Sequence, residues 1–201
     1  SFTLTQLNQA GALVHVYNDG SVRINHGGTE MGQGLFQKVA QVAARIFGIP
    51  IKKVQITATD TAKVPNTSAT AASSGSDLNG MAVKEACDII CARISSYFIE
   101  KYRPNTNDVK FEDGRVRGSN FDISFEDAVY EIYTQRISLS STGFYKTPDL
   151  QWDRIKGKGR PFYYFAYGAA VSEVVVDTLT GEFKLLRSDI CLLYTSDAAD
   201  E

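Results

Sequence analysis

Apolar and polar positions alternate early in the chain. Residues 12–17 form a β-branched and aromatic run, Asn18-Asp19-Gly20 is a turn sequence, and residues 21–26 form a second run. Asp-Gly between two such runs predicts a β-hairpin. The alternation then stops in Gly27-Gly28-Thr29-Glu30-Met31-Gly32-Gln33-Gly34, which is too rich in glycine for regular structure. A helix is predicted to begin directly, at Gln33. Its apolar residues Leu35, Val39, Val42 and Ile46 recur at helical spacing on one face, and Gly48 and Pro50 end it. Residues 54–57 read as a strand.

Residues 59–76 have no periodicity. A loop of this length made of small residues is unusual inside a domain, and such loops often carry function. A longer helix is predicted from Ser76 or Asp77, either of which suits a cap. Val83, Cys87, Ile90, Ile94 and Tyr97 or Phe98 make its buried stripe, and it ends before Pro104. A short hairpin follows at Asp113-Gly114. A third helix, over residues 125–135, opens with a capping-box-like Ser124-Phe125-Glu126-Asp127. Residues 137–145 read as a strand, 156–160 as a basic loop, and 162–177 as a long strand. A turn at residues 178–181 joins that strand to another over 182–190. Hairpins and helices mix without regular βαβ alternation, so the fold class is α+β, with a mixed sheet and about three helices.

Composition narrows the function classes. The chain has 201 residues, a net charge of −2 and 43% hydrophobic residues. It is therefore not a disordered chain, and it offers neither a basic nucleic-acid arm nor a polybasic membrane patch. No apolar run reaches the roughly 18 residues of a membrane span. Three cysteines make neither a metal cluster nor a disulfide framework, and a reducing, cytoplasmic compartment is expected. The first residues lack a secretory-signal pattern and an initiator methionine, so a fragment is expected. Residues 191–201 resemble one reading frame of a transposase sequencing adapter and are read as a non-native tail.

Two segments are candidates for chemistry. The first is the glycine-rich run 27–34, which lets backbone approach a ligand and leads into a helix start with unpaired N–H groups, an anion cradle. The plain alternative is a tight strand-to-helix turn. The second is residues 66–76, with small side chains, several hydroxyls and another helix start; the alternative is an ordinary loop. Two such loops point to one shared anionic or planar ligand. His15 and His26 have no ligand-spaced companions, and Cys87 and Cys91 read as buried small hydrophobes. Glu30 is a weak candidate for a general base. A non-catalytic phosphate- or nucleotide-binding module is the reading of another class.

Several ordered segments resemble the molybdenum-binding part of the xanthine dehydrogenase family. They are Leu7 through Tyr17 with Asp19-Gly20-Ser21-Val22, Gly27 through Leu35, Val64-Pro65-Asn66-Thr67-Ser68 through Thr70-Ala71-Ala72-Ser73, Ser141 through Tyr145, and Tyr167-Gly168-Ala169-Ala170. The resemblance covers about residues 1–190, and its wording is most similar to the separate molybdenum subunit of bacterial enzymes. It implies a fragment of a molybdopterin-binding domain from a molybdenum hydroxylase that oxidises hypoxanthine to xanthine and xanthine to urate, with water supplying the oxygen. Within the family, an aldehyde oxidase or another molybdenum hydroxylase is the alternative.

The resemblance also assigns residues. Met31, Gly32, Gln33, Thr70, Ala71, Ala72 and Ser73 are expected to contact the molybdenum–molybdopterin cofactor. Ala72 is expected near the metal without ligating it. Phe2 and Thr3 are expected to bind the purine, by stacking and by a hydroxyl hydrogen bond. Gly75 departs from the serine of mammalian members. The catalytic glutamate, FAD, the 2Fe-2S clusters and the NAD site are expected outside this segment, in a complete enzyme that is a dimer. The fragment alone is expected to be inactive.

Overall fold

The computed structural model describes residues 5–64, 66–106, 108–165 and 167–192. The chain divides into two compact units at Pro161/Phe162.

In the first unit, the predicted hairpin forms from β1 (Gln9–Val16) and β2 (Val22–His26), paired antiparallel from Ala12↔His26 to Val16↔Val22. β1 buries alternate residues, Ala10, Ala12, Val14 and Val16, and β2 buries Val22, Ile24 and His26. This period of two puts one face of the ribbon against the core. α1 (Leu35–Phe47) follows the glycine-rich loop and ends at Gly48, whose φ of 63° closes the helix. β3 (Val54–Ile56) adds parallel to β2. α2 (Gly75–Tyr102) is the long second helix. β4 (Lys110–Glu112), β5 (Arg115–Gly118) and β6 (Phe121–Ser124) make a three-stranded meander, and α3 (Phe125–Thr134) follows at once. β7 (Ser140–Lys146) pairs antiparallel with β1 and completes a four-stranded sheet in the order β3-β2-β1-β7.

α2 lies on β1 and β7 and packs against α1. A close approach is at Gly143 of β7, where a Cβ would stand 2.1 Å from the carbonyl oxygen of Ala82 and 2.6 Å from the nitrogen of Ala86. Only glycine lets the strand lie this near the helix backbone. The expected stripe of α2 is buried at Val83, Cys87, Ile90, Ile94 and Phe98, while Tyr97 is half-buried and bonds Glu131. The rings of Phe98, Tyr102 and Phe121 stack between α2 and the meander. Ser124 caps α3 as expected, accepting from Asp127 N–H at 3.1 Å.

Several boundaries differ from the sequence reading. α1 begins at Leu35 rather than Gln33, because Gly34 takes a left-handed conformation and serves as the cap residue. α2 is capped at Ser74 rather than Ser76 or Asp77. The Ser74 hydroxyl donates backwards to the Ala71 carbonyl at 3.0 Å instead of capping forwards. The basic segment 156–160 is not all loop: β9 (Lys158–Arg160) pairs with β8 (Gln151–Asp153). That hairpin requires glycine at 159, where φ is 128° and a Cβ would stand 2.2 Å from the Gln151 carbonyl oxygen.

The second unit holds an antiparallel hairpin of β10 (Gly168–Val176) and β11 (Phe183–Leu192), with a register shift between Glu173 and Val174. β10 is shorter at both ends than the run 162–177 read from sequence, and β11 starts one residue later and ends two residues later than the run 182–190.

Candidate functional site

The glycine loop between β2 and α1 is held by its own side chains. Glu30 Oε1 accepts from the N–H groups of Gly32 (2.9 Å) and Gly34 (3.1 Å), and Oε2 accepts from Phe36 N–H (2.9 Å). Gln33 Oε1 accepts from Met31 N–H (2.6 Å), and Gln33 Nε2 donates to the Thr29 carbonyl (2.9 Å). The start of α1 is therefore not the open anion cradle that its position implied. The N–H groups of Gly34 and Phe36 there are taken by the Glu30 carboxylate, which compensates the positive end of the helix. The same N–H groups, that of Phe36 foremost, hold the Glu30 carboxyl below the usual carboxylate range. Glu30 is thus an ionised structural acceptor rather than the general base considered above.

The start of the loop is anchored from below. His26 is buried at the end of β2, its Nδ1 accepting from Gly28 N–H at 3.0 Å, with Phe36 edge-on to its ring. Burial pushes its pKa down to about 4. With Nδ1 an acceptor, the neutral ring carries its proton on Nε2. A Cβ at Gly28 would stand 2.7 Å from Asn79 Nδ2 and 2.7 Å from Leu35, so the loop's close approach to α2 and α1 requires glycine there.

The second loop meets the first. Thr70 Oγ1 accepts from Thr29 N–H at 2.9 Å. Ser68 is stitched to the edge of β1, its N–H donating to the Gln9 carbonyl and its Oγ accepting from Gln9 N–H. The hydroxyls of Ser68, Thr70 and Ser74 thus bind protein rather than standing ready for a ligand. Beyond Thr70, Ala72 (φ 51°) and Ser73 (φ 60°) take consecutive left-handed conformations, which side-chain-bearing residues adopt at a cost of order 1–3 kcal/mol each. Such strain gathers where a loop is shaped for a ligand rather than for its own stability.

Between the loops lies a cavity of about 330 Å³, lined by Met31, Gln33, Leu35, Lys38 and by residues 70–73, 75 and 76. Six of the seven expected cofactor residues line it: Met31, Gln33, Thr70, Ala71, Ala72 and Ser73. Gly32 lies within the loop at φ 96°, with open space where a Cβ would stand. Phe2 and Thr3 lie outside the described residues. Lys38 was missed by the sequence reading, although one signal was available. A lysine in the first turns of a helix opposes the helix dipole, so its place there needs another reason, and it is the one charged residue lining the cavity. Small walls, open glycine backbone and a single cation suit a flat, multi-ring, anionic ligand. Among the described residues no cluster of three or more His, Cys, Asp or Glu side chains is placed to hold a metal. No helix among them is long and apolar enough to cross a membrane. Cys87 and Cys91 do not line the cavity; burial raises the Cys87 thiol pKa well above its ordinary value and pushes that of Cys91 up to about 12.

A family model described as molybdopterin cofactor-binding domain matches residues 1–192. The chain belongs to the molybdopterin cofactor-binding domain family. Over 192 residues, 96% of the chain, it is 50% identical to xanthine dehydrogenase/oxidase of Mus musculus and to xanthine dehydrogenase of Oryza sativa subsp. japonica. It spans only 13% of the length of each. Among solved structures, quinoline 2-oxidoreductase from Pseudomonas putida 86 has a TM-score of 0.72 at 21% identity, over 90% of this chain and 23% of that one. The Cu,Mo-CO dehydrogenase has a TM-score of 0.69 at 20% identity, over 92% of this chain and 22% of that one. At this identity the shared feature is the α+β fold. The cavity between the two loops fits a group of the kind that names this family, since a pterin is flat and its phosphate anionic.

Proposed function

We propose that this chain forms one wall of the molybdopterin pocket in a molybdenum hydroxylase that oxidises hypoxanthine to xanthine and xanthine to urate, water supplying the oxygen. The observation that carries the reading is the convergence of Met31, Gln33 and residues 70–73 on one cavity, in a chain 50% identical to xanthine dehydrogenases.

Met31, Gly32 and Gln33 would hold the cofactor from one side and Thr70, Ala71, Ala72 and Ser73 from the other, with Ala72 near the metal but not ligating it and Lys38 as the counter-charge. When bound, the cofactor supplies the two-electron redox chemistry of molybdenum, its dithiolene rather than protein side chains carrying the metal. This chain's residues orient that group. The Glu30 and Gln33 side chains fix the first loop, the Thr29–Thr70 bond fixes the second against it, and the alanines let a bulky ring system lie against backbone. Phe2 would stack on the purine and Thr3 would hydrogen-bond its polar edge. FAD, 2Fe-2S clusters, the NAD site and the catalytic glutamate belong to other segments of a cytoplasmic, dimeric protein.

The test is metal analysis and xanthine-dependent urate formation by the complete protein, beside the same assays on residues 1–192 alone. The complete protein is expected to hold molybdenum and form urate, and the shorter chain to do neither, because binding needs convergent groups from the rest of the pocket. A complete protein that binds molybdenum and oxidises aldehydes but not purines would sink the substrate assignment.

A further inference from the structure

α1 starts after Gly34, which has no side chain to cap it. The missing acceptor comes from four residues upstream. The two oxygens of Glu30 take the N–H groups of Gly32, Gly34 and Phe36 at 2.9–3.1 Å, alternate positions along the segment that carries Gln33. Gly32 and Gly34 sit at φ 96° and 75° with open space where a Cβ would stand, so no neighbouring group on that side wedges them into place. Glycine visits such conformations about as readily as their mirror images. Residues 32–34 therefore have no steric reason of their own to keep this shape.

Resting on the function proposed above, we propose that Glu30 is the positioning residue of this site: its carboxylate holds the backbone of residues 31–34 in the form that lines the cavity, and so governs how long the cofactor stays bound. Two oxygens serving three donors explain why a carboxylate is needed. Aspartate is one methylene shorter and cannot span from Gly32 to Phe36. Glutamine keeps the length but offers one acceptor oxygen and turns an NH₂ group toward a backbone N–H. The carboxylate points into its own loop, so it acts through the backbone rather than on the ligand.

The experiment uses Glu30→Gln and Glu30→Asp in the complete, cofactor-loaded protein. It follows molybdenum remaining with the protein over time after gel filtration, and amide hydrogen exchange at residues 32, 34 and 36. Release roughly tenfold faster than wild type is expected for Glu30→Gln, the scale of one charge-assisted hydrogen bond. Faster exchange is expected at those three amides, with the rest of α1 unchanged. Unchanged release in both variants, with wild type still loaded, would overturn the role of Glu30 and leave the site standing. A lowered melting temperature with unchanged release would overturn it too, as would failure of both variants to fold, since Glu30 would then be a global stability determinant. A wild-type protein that never holds molybdenum would overturn both this role and the site.

Discussion

The N–H of Thr29 donates to Oγ1 of Thr70 across 41 positions of sequence, at 2.9 Å. It joins two loops that leave different elements, one following β2 and the other preceding α2. Each loop is tied to its own base, the first through His26 and the second through Ser68 and Gln9. The bond between them sets how far apart their tips stand, and so the width of the cavity.

Thr70→Val keeps the shape of the side chain and removes the acceptor. A neutral hydrogen bond contributes about 0.5–1.5 kcal/mol, and this one is half-exposed, so little change in melting temperature is expected. Cofactor affinity is expected to fall by a few-fold to roughly tenfold, read as molybdenum content across a dilution series. Thr70→Ser keeps the acceptor and is expected to restore most of it. Equal retention by Thr70→Val and wild type would show that the bond does not set the cavity.

Gln33→Ala is expected to lower molybdenum occupancy or turnover more than it lowers stability. The side chain bonds only within its own loop, to Met31 and Thr29, and it lines the cavity. Loss of both bonds loosens the loop without opening the core. Metal analysis and thermal melting on one preparation check this; unchanged molybdenum content with unchanged activity would count against it.

Both loops were legible in the sequence because their signal is a departure from pattern, small residues where periodicity stops, and both long helices were legible because their apolar faces repeat. The clasp by Glu30 was not legible. One acidic residue in a glycine run reads equally as base, surface charge or cap, and only the backbone path shows that its oxygens meet three N–H groups. Lys38 was hidden because a lysine on the exposed face of an amphipathic helix is ordinary unless its distance from the helix start is weighed. β9 escaped because three residues broken by Gly159 carry no alternation, their pairing being fixed by Gln151–Asp153 across the turn.

Gly143→Ala tests the contact that seats α2 on the sheet. An added Cβ would fall 2.1 Å from the Ala82 carbonyl oxygen and 2.6 Å from the Ala86 nitrogen, both helix backbone that no rotamer change moves aside. Overpacking of this kind costs about 1–3 kcal/mol, and more where backbone must shift. Urea denaturation followed by far-UV circular dichroism is expected to show a lower midpoint with an unchanged slope. Because α2 carries residues 75 and 76 of the cavity wall, cofactor retention is expected to fall with it. A midpoint equal to wild type would mean that the strand can move away from the helix without loss.

His26 is expected to make stability fall with mild acid. It is 1% exposed, and burial lowers its pKa from 6.5 to about 4. Between those values the unfolded chain binds a proton that the folded chain excludes, so unfolding gains as pH drops. The contribution is fully present above pH 6.5 and is lost as pH falls toward 4, about 3 kcal/mol in all. The carboxylates of Asp19, Glu30 and Asp122 have pKa values below their ordinary ones, so their loss comes later, at lower pH. His26→Asn retains an acceptor near Nδ1 for Gly28 N–H but does not titrate. It is expected to be less stable than wild type at neutral pH, because it fills less of the space beside Phe36, and to lose less stability between pH 6.5 and 4.5. Urea midpoints for both proteins across that range decide the matter: parallel curves would show that His26 is not the group whose charging destabilises the fold.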